Sequence, residues 1–109
     1  MDRWKAGIDA HEPERVAEVF AEDAIFQGLR PYSVGRQGVD DYYASQPLGM
    51  TVTYRILETR QPTADLVLGY LHVVFSYLDR EPVSLNLGVL VSRSGDTWSI
   101  SHYQVSPAT

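Results

Sequence analysis

Cysteine is absent from this chain of 109 residues, which excludes a disulfide framework, a thiolate nucleophile and a sulfur-ligated metal. Positive charge is scarce as well: nine Lys and Arg stand against fourteen Asp and Glu, a net charge of −5. Arg30, Arg36, Arg55, Arg60, Arg80 and Arg93 are scattered along the chain, so no positive footprint for neutralising phosphates is expected and nucleic acid is not an expected partner. The apolar runs fall far short of the roughly 20 residues that span a bilayer, and no basic segment with a following apolar block opens the sequence. No membrane partner is expected, and a cytoplasmic location is. His11, His72 and His102 lack a ligand spacing such as i, i+4, so neither a metal nor a cofactor is expected. Internal repeats, low-complexity tracts and linkers are missing too.

What is present reads as a single folded domain over residues 1–109. Apolar residues make up 44% and charged residues 21% of the chain, the balance of a globular protein with one core. Trp4 and Ile8, four apart, predict one buried face of a short first helix, broken by Gly7 and by His11-Glu12-Pro13. Pro13 suits the first position of a second helix, because its missing N–H would have no intrahelical partner. Val16, Val19 and Phe20 form its apolar stripe, with Glu14, Arg15, Glu18 and Glu22 facing water, and the helix is expected to end near Asp23. Ala24-Ile25-Phe26 then reads as a buried strand running into Gly28. A turn-rich loop, Gly28 to Gly38, leads to a third helix from Val39 to about Ser45, with Val39, Tyr42 and Tyr43 inward and Pro47 as its stop.

From Thr51 onward the chain reads as strand: Thr51 to Thr59, ended by Pro62, then Leu66 to Leu78, Val83 to Ser92 and Trp98 to Ser106. A two-residue tip at Arg80-Glu81 would pair 77 with 84 and 75 with 86. On that register Leu71, Val73, Phe75 and Tyr77 share a face with Ser84, Asn86, Gly88 and Leu90, a mixture that suits a pocket wall. The opposite face, Val83, Leu85, Leu87, Val89 and Val91 beside Tyr70, His72 and Val74, is too apolar for water and predicts a subunit partner. For the last hairpin, a two-residue Gly95-Asp96 tip turns Ser101, Tyr103 and Val105 inward. A three-residue tip turns His102 and Gln104 inward instead.

Three stretches carry a resemblance: Trp4…Ile8-Asp9 with Val16 to Phe26, then Gly35-Arg36-Gln37-Gly38-Val39…Tyr42-Tyr43, and Trp98-Ser99-Ile100-Ser101-His102. In order and spacing the chain resembles the nuclear-transport-factor-2-like (cystatin-like cone) superfamily, and most of all its small bacterial SnoaL-like and SgcJ/EcaC-type members. The resemblance covers nearly the whole chain and implies an α+β fold. Its form is a cone-shaped α+β barrel, three N-terminal helices packed on a curved, mostly antiparallel sheet, and it is often homodimeric. It also implies a pocket between helices and sheet, in which members carry out isomerase, cyclase, dehydratase or epoxide hydrolase chemistry or simply bind.

The isomerase pattern needs a tyrosine, a carboxylate base and a protonated acid. Aligned with this chain, those roles fall on Trp4, Gly28 and Gly88, and all three are empty. Acid–base candidates that remain are His102 and Tyr103. His72 is expected at a dimer interface, and Asp40 and Asp41 at the positive end of the third helix. Trp4, Tyr32, Tyr42, Phe75, Tyr77 and Tyr103, with Asn86 as polar anchor, are expected to line a cavity, with His102 a further lining candidate, for a small hydrophobic organic ligand. The expectation is a homodimeric small-molecule-binding protein joined through the outer sheet face. The alternatives are a cyclase, dehydratase or isomerase acting on a polyketide- or terpenoid-like substrate through His102 or Tyr103, and a non-catalytic dimerisation module.

Overall fold

The computed structural model describes residues 1–108. Three helices, α1 (Asp2–Asp9), α2 (Pro13–Ala17) and α3 (Arg36–Ala44), pack on a sheet of six strands. The strands are β1 (Phe20–Gln27), β2 (Ser33–Val34), β3 (Thr51–Thr63), β4 (Leu66–Ser76), β5 (Val83–Ser94) and β6 (Thr97–Pro107). Their order is β2-β1-β6-β5-β4-β3, antiparallel throughout except for the parallel pair β1 and β6. The fold is therefore the expected α+β cone, but the sheet stays open, with β2 and β3 as its edges.

Several elements differ from their expected extents. The second helix stops after five residues, and Val19 and Phe20 have left it. The Val19 carbonyl accepts the Ile100 N–H at 2.9 Å, so β6 captures the segment that the helical stripe would have continued. Helix propensity at a valine–phenylalanine pair is weak, and a sheet bond outweighs it. The third helix begins earlier than expected, at Arg36. β3 runs past Pro62, which is tolerated because an edge strand needs no N–H on its open side and because the register slips between Arg60 and Thr63.

The register of β4 and β5 corrects the expected one. Phe75 pairs with Val83, Val73 with Leu85 and Leu71 with Leu87. Phe75 stands three positions from its expected partner at 86, and an odd shift of register exchanges the two faces of a strand. Leu71, Val73, Phe75, Leu85, Leu87 and Val89 consequently share the inner face, buried against Trp4, Ile8, Val16 and Val39. This arrangement puts Leu85, Leu87 and Val89 of β5 in the core, where the two-residue tip would have turned them outside, and leaves Leu90 on the outer face. The last hairpin does turn on Gly95-Asp96, with Ser94 paired to Thr97. A bulge then follows, since Val91 pairs with Ile100 but Leu90 with His102. Ile100, Tyr103 and Val105 point inward, whereas Ser101, expected inward, is the extra residue of the bulge.

Candidate functional site

The inside of the cone is built from aromatic rings. Trp4 from α1, Tyr43 from α3 and Tyr103 from β6 are all buried, and their polar atoms form one chain. The Trp4 Nε1–H donates to the Tyr43 hydroxyl at 3.2 Å, and the Tyr43 and Tyr103 hydroxyls share a hydrogen bond of 3.2 Å. Phe26 stacks on Tyr103 with ring centroids 4.8 Å apart, and Phe75 meets Trp4 edge-on at 6.2 Å. Burial pushes both phenols well above the ordinary tyrosine value of 10.0, so they stay protonated over the physiological range. No buried side-chain nitrogen or oxygen among the described residues lacks a partner.

The rings leave little space. The residual cavity beside Tyr103, Phe75 and Met50 measures about 10 Å³, the volume of a single water. Open space lies outside: clefts of about 390 Å³ beside Pro13 and Asp40 and about 310 Å³ beside Trp98 are remote from the cone mouth, while others gather around Tyr42. This half-buried ring borders the residual cavity and also two open clefts, of about 340 and about 280 Å³. Its hydroxyl accepts the Leu29 N–H at 3.2 Å. Gly28 makes room for it, because a Cβ there would sit 2.5 Å from the Tyr42 ring.

The residues singled out in the sequence thus fall in three places. Trp4, Phe75 and Tyr103 lie inside the cone, while Tyr42 and Tyr77 stand at its mouth. Tyr32 is 67% exposed on the loop after β1. Asn86 and His102 lie on the outer face, where Asn86 pairs with His72, and His102 sits between Ile25 of β1 and Leu90 of β5. The corrected register moves Asn86 there, and the bulge at Ser101 moves His102. Tyr43, hub of the interior hydrogen bonds, was legible as an inward helix position but not as a polar link. Arg30 and Arg80, which reach the same cleft from two loops, gave no signal in the sequence.

The outer face carries one apolar row across the sheet. Direct pairing sets Val34, Ile25, His102, Leu90 and Leu68 side by side from β2 to β4. The next row contains Gln104, Gly88 and Tyr70. Ile25, Leu68 and Tyr70 remain 45%, 47% and 43% exposed.

Known structures with this arrangement decide the fold. No protein-family model and no curated protein matches the sequence. A domain of unknown function with a cystatin-like fold from Nostoc punctiforme superposes with a TM-score of 0.86 at 14% identity, over 99% of this chain and 72% of that one. The fold is the cystatin-like cone. A ketosteroid isomerase-like protein from Erwinia carotovora atroseptica gives a TM-score of 0.82 at 18% identity, over 99% and 90% of the two chains. An NTF-2 like protein of unknown function from Shewanella oneidensis gives 0.82 at 12%, over 96% and 91%. At such identities the cystatin-like likeness extends to the backbone and not to the chemistry.

Proposed function

We propose that this cystatin-like chain is a non-catalytic, homodimeric small-molecule-binding module whose ligand sits at the mouth of the cone. The distribution of space carries the reading: about 10 Å³ remains inside, against clefts of about 280 and 340 Å³ that meet at Tyr42. Proton transfer at neutral pH needs a group that titrates near it. Among the described residues the buried core holds no histidine or carboxylate, and its two phenols are kept neutral by burial. The partly exposed row of Ile25, Leu90 and Leu68 supports a second copy as the partner of the outer face.

Amide chemical-shift mapping with small hydrophobic compounds tests the location of binding. Shifts are expected around Gly28 to Arg30, Tyr42 to Gln46 and Tyr77 to Val83. Shifts centred on the interior Trp4 and Tyr103, or none, would overturn the reading.

A further inference from the structure

Resting on the binding role just proposed, we infer that the site at the cone mouth takes a small organic anion, a carboxylate carried on an aromatic or aliphatic body. The cleft of about 280 Å³ has two guanidiniums, Arg30 and Arg80, beside Leu29, Tyr42, Tyr77 and Val83. That combination of two cations and an apolar floor is how a carboxylate with a hydrophobic tail is recognised. In a chain of net charge −5, two arginines drawn from distant loops into one cleft run against the overall balance.

Each guanidinium is placed to receive a ligand. Arg30 makes no ion pair among the described residues. Arg80 lies over the Tyr77 ring, 5.1 Å from its centroid, which orients the guanidinium plane. Its Nε–H donates to Asp79 at 3.1 Å in an exposed ion pair, and among the described residues no hydrogen bond engages its terminal nitrogens. The carboxylate closest along the neighbouring cleft, Asp41, accepts instead from the Gln37 amide at 2.9 Å. The Gln46 amide also borders the cleft and donates to the Tyr42 carbonyl at 3.3 Å, leaving its oxygen for a ligand hydroxyl. Behind this cleft Leu29, Tyr42, Gln46 and Tyr77 border both it and the residual cavity under Tyr103.

Titration of the whole protein with acetate, benzoate and 2-naphthoate, each against its neutral amide, tests the inference by calorimetry and amide shifts. Naphthoate is expected to bind best and its amide at least about tenfold more weakly, with affinity falling as salt rises. Arg30→Gln and Arg80→Gln should each weaken naphthoate by about tenfold and leave the amide unchanged. Equal binding of acid and amide, or naphthoate binding unaffected by Arg30→Gln, would overturn the anion inference while the binding role stood. No binding of any acid or amide at millimolar concentration would overturn both.

Discussion

At the scale of single residues, the interior tyrosines act through their hydroxyls as much as their rings. Tyr103→Phe removes a hydroxyl that is bonded to Tyr43, and Tyr43 keeps its bond from Trp4. A loss of about 1 kcal/mol is expected. Tyr103→Ala also opens a cavity among Phe20, Phe26 and Trp4, and the expected loss is about 3–5 kcal/mol. Urea unfolding distinguishes the two. The same phenols make stability depend on alkali. Their folded values lie above the ordinary 10.0, so the native state holds protons that the unfolded chain has released. Their stabilisation is complete below pH 10.0 and is lost as the pH rises from there towards the folded values, by about 1.4 kcal/mol per pH unit for each phenol. Tyr54, through its hydrogen bond to Asp2, and Tyr77, through burial, are raised as well, so Tyr103→Phe should remove one phenol's share of that decline and leave the rest, measured as urea midpoints between about pH 9 and about pH 11.

At the scale of elements, two joints decide whether the helices stay on the sheet. Along the open edge of β3, Val52 would leave a backbone N–H and carbonyl unpaired. Asp9 accepts that N–H at 2.9 Å, Lys5 donates to the carbonyl at 2.7 Å, and the two side chains pair at 2.6 Å. Asp9→Ala should cost about 1–3 kcal/mol, with Asp9→Asn recovering most of it, because an amide oxygen also accepts. Guanidinium unfolding of the three proteins checks this. The second joint is the crossing of α1 and α2 at Gly7, where a Cβ would stand 2.7 Å from Val16 Cγ2 and 3.1 Å from its backbone nitrogen. Alanine is the better helix former by about 1 kcal/mol. The clash outweighs this, and Gly7→Ala should lower stability by about 1–3 kcal/mol, seen as a reduced Tm.

At the scale of the molecule, the outer sheet face is the proposed contact between subunits. Leu68 stands in the apolar row with Leu90, Ile25 and Val34, away from the cone interior and its mouth. In the proposed dimer, Leu68→Asp would bury a carboxylate at the subunit contact with only the exposed Arg60, its cross-strand neighbour on β3, to offset the charge, and the desolvation cost outweighs that pairing. Sedimentation velocity at micromolar concentration should show a dimer for the parent protein and a monomer for Leu68→Asp, with the fold retained by circular dichroism. A monomeric parent would remove the homodimer from the proposal.

The class of fold was legible in the sequence because it rests on local signals. Pro13 starts a helix, Gly95-Asp96 turns a hairpin, and Trp4 with Ile8 marks a buried helix face. The site was legible only in part, because facing along a strand is a matter of parity that distant contacts decide. A three-residue shift in the register of β4 and β5 carried Asn86 to the outside, and one extra residue at Ser101 kept Tyr103 inward and turned His102 away. Likewise the parting of Val19 and Phe20 from the helical stripe needed the N–H of Ile100, a residue of the last strand far along the chain. Composition and periodicity determined by themselves that the chain forms helices against a meander of strands. The open sheet, the closed interior and the meeting of Arg30 with Arg80 came only from tertiary structure, since each depends on residues that no local pattern connects.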